Sequence, residues 1–412
     1  MLTPVDEVRA TILAACAPLP AVDLPLADAR GCVAAAAVVA AADVPPFANT
    51  AMDGYAVRAA DTAAAPVRLD VIGLLPAGAA PDPSRPLGPG QAIRIMTGAP
   101  MPPGADAVVM VERTTALGDD INGAGPGVLV HTKVAIDENV RFPGSDLRAG
   151  REVVAPGVEL TPALLGVVAS VGQATVSVHR PPVVGVLSTG DELVAAGAAA
   201  PLRPGQIYDS NRPMLLAMAA ETGAIPLDLG HALDDPDAIA AALEGALARC
   251  DVVLLTGGVS VGDFDFVGDV FARFGETRAW EVAVKPGKPL AWGFLKGRPV
   301  FGLPGNPVSA AVSYELFARP AIRTLAGHRA TLRPVQRALA GEPFRRRRDG
   351  KLHVVRAVAV ENEFGRIRVH SAGGQGSHML GALAAGNALV LLPDGEGVDE
   401  GAAVDVVRLG PG

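Results

Sequence analysis

The stretch "DVVLLTGGVSVGDFDF", residues 251–266, decides the fold. Five residues suited to a buried strand run into a glycine-rich bend, and Asp263 and Asp265 follow, two apart. Glycines at 257, 258 and 262 let the backbone approach a ligand closely, and their amides form an anion-binding nest. No lysine stands where a P-loop needs one, and no GxGxxG follows the first strand, so P-loop ATP hydrolysis and ordinary dinucleotide binding lose ground.

Two further apolar runs end the same way: "VVGVLSTGDE" (183–192) and "PVFGLPGNP" (299–307). Helical text occupies 211–223, 236–250 and 307–327. Strands alternating with helices predict a mainly parallel sheet covered on both faces. In such a sheet the ligand crevice lies beyond the carboxyl ends of the strands, which gathers all three glycine loops in one place. The predicted lining is Ser188, Thr189 and Gly190 from the first loop, Gly257, Gly258, Ser260 and Gly262 from the second, and Pro304, Gly305 and Asn306 from the third. Asn306 caps, and Pro307 opens, a helix whose amino end favours phosphate. Each loop alone reads equally as a structural turn; the three together point to a phosphate-bearing ligand.

Outward from this core the text changes. Residues 4–17 read as an amphipathic helix, and the proline-rich 44–57 as an ordered loop. Short valine and isoleucine runs broken by glycine and proline fill the stretch to 143. "TPALLGVVASVG" is helical, with Thr161 as cap and Pro162 at the first position. After 326 alternation and turns return, as expected of a small β barrel or sandwich. The expected organisation is multidomain α/β and β: a discontinuous N-terminal domain from 1–46 and 144–180, an inserted mostly β domain over 47–143, a three-layer α/β domain over 181–325, and a C-terminal β domain over 326–412.

The formal charge of -8 argues against general affinity for nucleic acid or an anionic membrane, while leaving room for a small basic pocket. Cys16, Cys32 and Cys250 are too scattered for a disulfide framework or a zinc knuckle and read as buried thiols. The N-terminus, with Asp6 and Glu7, is a poor signal peptide, and no run reaches 18 uninterrupted apolar residues. A cytoplasmic protein is expected. The run Arg345 to Arg348 reads as a solvated face rather than a nucleic-acid patch.

Within "KPGKP", Lys285 and Lys288 flank a stiff turn that holds two ammonium groups at fixed spacing. At an effective dielectric of about 20, a charge pair ~4 Å apart is worth about 4 kcal/mol before desolvation, enough to anchor a phosphate. Glu192, Asp209, Asp263 and Asp265 sit near predicted strand ends, and the repulsion among clustered carboxylates is relieved by magnesium, which prefers oxygen ligands and bridges to phosphates. The metal ligands expected are Glu192, Asp263 and Asp265. No GxSxG elbow occurs, so no seryl triad is indicated. The expectation is one metal-assisted pyrophosphate cradle in which the strand-end bends converge with the 285–288 turn.

Six motifs in order, "PPFANTAMDGYAV" (45–57), "IMTGAPMPPGADAVVMVE" (95–112), "STGDEL" (188–193), "TGGVSVGDFDF" (256–266), "KPGKP" (285–289) and "LPGNPVS" (303–309), resemble the molybdopterin molybdenumtransferases, the MoeA and gephyrin E-domain family. The resemblance runs from about residue 4 to about 410. It implies insertion of molybdate into adenylylated molybdopterin with release of AMP, dependent on Mg2+, by a four-domain homodimer whose α/β domain binds the pterin and whose last domain is a β barrel. The resemblance further implies that Asp53 and Thr97 come from the second subunit, that the acid at Asp146 is involved, and that Ser377 approaches the cleft from the last domain. By the same likeness Glu192, Asp209 and Asp265 match the substrate and metal side, and Lys285 and Lys288 the anion-binding turn. The implied partners are a second copy of the chain and, transiently, the molybdopterin adenylyltransferase, with no nucleic acid and no membrane.

The chain departs from the family pattern at two places. Glu281 follows Trp280 where members often carry a basic residue, which weakens the positive potential felt by an oxyanion; His378 stands where a small residue is expected. The competing readings are a tungstate-inserting paralogue, a gephyrin-like peptide-binding scaffold, and a pterin- or nucleotide-binding module without turnover. Asp265→Ala is expected to fold normally yet release no AMP; normal AMP release by that variant removes Asp265 from the metal role.

Overall fold

The structure, a computed structural model, describes residues 2–118, 126–199, 201–258 and 270–410. The chain divides into two compact units, one of residues 1–36, 156–161 and 177–412, the other of residues 37–155 and 162–176.

The first unit is built on the predicted α/β sheet. Its strands are β1 (Val183–Thr189), β2 (Ile225–Ala232), β3 (Val252–Thr256), β4 (Gly275–Glu281), β5 (Pro289–Leu295) and β6 (Arg298–Leu303), in the order β2-β1-β3-β6-β5-β4. The first four in that order run parallel, and β5 and β4 add antiparallel at one edge. Alternate residues of β3 serve opposite faces: Val252 and Leu254 join one buried cluster, Val253 and Leu255 the other. That two-sided burial makes the strand a continuous apolar run. Helices α1 (Asn211–Glu221), α2 (Pro236–Leu247) and α3 (Pro307–Ser313) cover the faces, and Val8 and Ile12 of the N-terminal helix Val5–Ala14 join the same cluster as Leu215 of α1. Asp235 caps α2 by accepting from the amides of Asp237 and Ala238.

One buried carboxylate fixes the lower ends of three strands. Asp251, just before β3, accepts from Arg180 at 2.6 and 2.8 Å, from Arg298 at 2.7 Å and from the Val183 amide at 2.9 Å. Arg180 precedes β1 and Arg298 opens β6, so the network sets the mutual register of β1, β3 and β6.

In the same unit, strands Val335–Ala340, Leu352–Glu361, Ile367–Ser371, Ala388–Leu392 and Ala403–Arg408 close into a five-stranded barrel. Val284 and Lys285 pair in parallel with Leu352 and His353, which ties the "KPGKP" turn to the barrel wall. The Arg346 side chain is a buried brace of that barrel: it donates to four backbone carbonyls and pairs with Asp349 and Asp394. The expected solvated arginine face is corrected at that position.

The second unit carries a six-stranded sheet in the order Ala107–Met110, Gly54–Val57, Gln91–Ile95, Val67–Leu75, Gly127–Val130, Thr114–Leu117. Gly54–Val57 is fully buried there, which corrects the reading of 44–57 as loop throughout; pairing on both sides overrides the turn-forming residues before it. Helix Pro162–Ser170 forms where expected. No helix of the described residues is long and apolar enough to cross a membrane. Burial pushes the Cys16 thiol up to about 12 and raises Cys32 and Cys250, so none is poised as a thiolate.

Burial alone would raise the Asp251 carboxyl, but Arg180, the Val183 amide and Arg298 hold it below the ordinary aspartate value. Its stabilisation is therefore complete above the unfolded pKa of about 3.9 and lost as pH falls through the folded pKa. Asp251→Asn is expected to cost about 3 kcal/mol at neutral pH and to flatten the acid limb of the stability curve, as thermal melts across pH will show.

Candidate active site

A cavity of about 760 Å³ opens at the carboxyl ends of β1, β3 and β6. The chain leaves β1 for β2 through α1, then returns past β1 to β3 through α2, so the strand order reverses between β1 and β3 and the cavity sits at that switch point. Thr189 from the first loop, Gly257 and Gly258 from the second, and Pro304, Gly305 and Asn306 from the third all line it.

Glycine is required where these loops meet. Gly257 has φ +99°, and a Cβ there would stand 2.2 Å from the Thr189 carbonyl oxygen. At Gly190, φ +145°, a Cβ would meet the Glu192 carboxylate at 2.5 Å. Gly258 is also left-handed. Asn306 and Pro307 open α3 as expected, although the Asn306 side chain makes no capping bond.

Acidic side chains are spread along this cavity. Glu192 is exposed on its lining. Asp191 and Asp234 hold each other through reciprocal backbone-to-carboxylate bonds of 3.4 and 3.1 Å, and the second carboxylate oxygen of Asp234 is buried without a partner among the described residues. Asp209 is buried: Oδ2 accepts from the Ser188 hydroxyl at 2.7 Å and from Arg212 Nε at 2.9 Å, while Oδ1 accepts from the Arg212 amide at 3.1 Å. Burial would raise this carboxyl, but Ser188 and Arg212 together hold it below its ordinary value. Ser260, Gly262, Asp263 and Asp265 lie outside the described residues. Among the described residues no group of three acidic, histidine or cysteine side chains has metal-holding geometry.

The lysine turn divides what the sequence reading joins. Pro289 lines the strand-end cavity, whereas Lys285 and Pro286 line a second cavity of about 500 Å³. This second space carries an excess of cations: Lys285, Arg345, Arg346, Arg347 and Arg356 line it against Glu342 and Asp349, the latter paired with Arg346. Arg356 is 1% exposed, bonds only the carbonyls of Gly374 and Gly376 through its guanidinium, and has no ion pair among the described residues. Lys288 lines neither cavity; its ammonium pairs with Glu281 at 2.6 Å, which lowers the Glu281 carboxyl. The single cradle is thus corrected to two cavities on one turn, because Lys285 pairs with His353 of the barrel wall while Pro289 stays at the strand-end cavity.

Ser377 reaches this region through its carbonyl, which accepts from the Val308 amide of α3 at 3.0 Å. In the other unit, the Thr97 amide and hydroxyl donate to one oxygen of Asp53 at 2.6 and 2.7 Å, and those bonds hold the exposed Asp53 carboxyl below its ordinary value. Asp146 is exposed in the same unit. Sequence reasoning missed Asp234, Asn211 and Arg356. Asp234 follows β2, an edge strand without an apolar run, and an arginine in "LHVVRAVAV" shows no sign of burial by its spacing.

Residues 3–172 match the MoeA N-terminal region (domain I and II), 185–324 the probable molybdopterin binding domain, and 337–409 the MoeA C-terminal region (domain IV). The chain is 38% identical to the molybdopterin molybdenumtransferase of Haemophilus influenzae over 91% of its length and 90% of that protein's. It is 39% identical to molybdopterin molybdenumtransferase 2 of Mycobacterium tuberculosis, covering 94% of both. The molybdopterin biosynthesis MoeA protein from Pyrococcus horikosii matches in structure with TM-score 0.79 at 31% identity, covering 99% of each chain.

Gly257→Ala is expected to lower stability by at least about 2 kcal/mol, because it combines a positive φ with a carbonyl clash. Gly305→Ala is its control: a Cβ there meets only the Gly257 Cα, at 3.7 Å. That variant should stay within about 0.5 kcal/mol of the parent in denaturant titrations.

Proposed function

The chain belongs to the MoeA family of molybdopterin molybdenumtransferases, and from that membership we propose the reaction its two cavities serve. The protein is a transferase of molybdenum cofactor biosynthesis. In the proposed reaction the dithiolene sulfurs of adenylylated molybdopterin bond molybdenum as a molybdate oxygen leaves as water, and an oxygen nucleophile, water or a molybdate oxygen, cleaves the pyrophosphate so that AMP departs. The observation that carries this reading is the cavity at the switch point, where Gly257, Gly258 and Gly305 leave backbone open to a pyrophosphate beside acidic side chains.

The second cavity takes the oxyanion. A buried arginine without an ion-pair partner among the described residues is costly unless an anion arrives, and Lys285 beside Arg356 supplies two positive groups for a tetrahedral dianion. Because molybdate must bond the two dithiolene sulfurs, the pterin end of the substrate would have to extend past the 285–289 turn to the second cavity; bringing the two together is a proximity task and needs no protein nucleophile.

Magnesium, which the family implies, fits the donor chemistry of the first cavity. Its lining offers hard carboxylate oxygens, including the unpartnered one of Asp234, and magnesium needs only one or two carboxylates when phosphates complete its shell. Glu192, with Asp263 and Asp265, would hold it, and when bound it supplies charge neutralisation at the pyrophosphate. Asp209 has a different task in this scheme, since both of its oxygens are engaged in orienting Ser188 and Arg212.

The working form is a cytoplasmic homodimer in which Asp53 and Thr97 of one subunit serve the cleft of the other. Support for this comes from the family resemblance and from the carboxylate that Thr97 presets.

Purified protein given adenylylated molybdopterin, Mg2+ and molybdate should release AMP, with tungstate as the parallel arm. Binding of the pterin without molybdate-dependent AMP release overturns the reading in favour of a binding module. Lys285→Ala should raise the KM for molybdate by about tenfold while leaving that for the adenylylated pterin within about twofold. An equal rise in both would sink the assignment of separate cavities. Sedimentation that finds only monomer overturns the shared cleft.

A further inference from the structure

Asn211 opens α1, is 8% exposed and lines the strand-end cavity. Its side-chain nitrogen donates to Thr256 Oγ1 at 2.8 Å and to the Gly305 carbonyl at 2.7 Å. The Thr256 hydroxyl in turn donates to the Pro304 carbonyl at 3.3 Å. Asn211, on a helix that follows neither strand in the chain, thus bridges the end of β3 to the loop after β6, beside two direct ties: the Thr256–Pro304 bond and the Gly257 amide to the Leu303 carbonyl at 3.3 Å. The amide is assigned with its nitrogen toward both acceptors, because the flipped form would set Oδ1 against the Gly305 carbonyl; in this orientation Oδ1 is buried without a partner among the described residues.

The first turn of the same helix also reaches β1. Asp209 accepts from the Arg212 amide within that turn and from Ser188 near the end of β1. Residues 209–212 thus touch all three strand ends: Ser188 on β1, Thr256 on β3 and Gly305 beyond β6. Gly257, Gly258 and Gly305 offer no side chains that could interlock, so the separation of these loops depends on few bonds.

We infer that Asn211 is a positioning residue that clasps the β3 and β6 loops at the spacing a pyrophosphate-bearing substrate requires. This rests on the proposed reaction for its functional meaning, whereas the clasp itself is a property of the free protein.

The experiment compares the full chain with Asn211→Ala, Thr256→Val and the double variant. Hydrogen exchange of the substrate-free protein is followed in peptides covering 252–258 and 298–306. Each single variant should speed exchange in both segments together, by about tenfold, and the double variant should add less than the product of the two, as expected for partners in one network. The KM for adenylylated molybdopterin should rise about tenfold in Asn211→Ala with kcat within about threefold. Should Asn211→Ala fail to fold, Thr256→Val alone carries the same paired exchange readout. Unchanged exchange in the two segments, or acceleration in only one of them, overturns the clasp. A fall in kcat with KM unchanged also overturns it, by placing Asn211 in the chemistry. If the parent protein releases no AMP while the exchange pattern appears, the reaction reading fails and the clasp stands.

Discussion

The architecture depends on one carboxylate far from the chemistry. Asp251 gathers two guanidiniums and an amide at the lower ends of β1, β3 and β6, which fixes how far each of those strands extends at the top. The cavity exists because three strands stop at the same height and then bend over glycine. A carboxylate so enclosed is tolerable only while all its partners are present. The register of the sheet and the geometry of the site are therefore one constraint, read at opposite ends of the same strands.

The sequence was most legible at the centre of the sheet and least legible at its edges. β1, β3 and β6 are buried on both faces, so physics demanded unbroken apolar runs, and the runs were visible. β2 and β4 are largely exposed and carry Pro226, Asp228, Glu276 and Arg278, which leaves no run to read. Missing β2 meant missing Asp234 at its end. The glycine loops could be placed because a positive φ and a close approach leave few other residues a choice. Side-chain direction is not legible: spacing puts Lys285 and Lys288 in one turn, but the pairing of Lys285 with His353 is a matter of tertiary structure. Position alone makes Asp209 a ligand-facing acid, and only the partners around it show that it orients Ser188 and Arg212.

A net charge of -8 coexists with a cavity walled by Lys285, Arg345, Arg347 and Arg356. Glu342 and Asp349 share this wall and Asp399 pairs with Arg345, yet the cations still outnumber the acids there, while other acids are paired elsewhere on the surface. Glu281 is the exception in interest. It holds Lys288 at 2.6 Å at the edge of the same turn, so one of two lysines in "KPGKP" is partly neutralised within the free chain. The positive field that remains is concentrated on the barrel side.

The barrel itself constrains how this chain tolerates shortening. Its last strand, Ala403–Arg408, lies between the first, Val335–Ala340, and Ala388–Leu392, so the ring is completed only by residues close to the end of the sequence. A ring has no terminal member that can be lost without exposing two raw edges at once. A message cut just before residue 403 would thus yield a splayed sheet rather than a slightly smaller barrel, with Val335–Ala340 and Ala388–Leu392 as its bare edges.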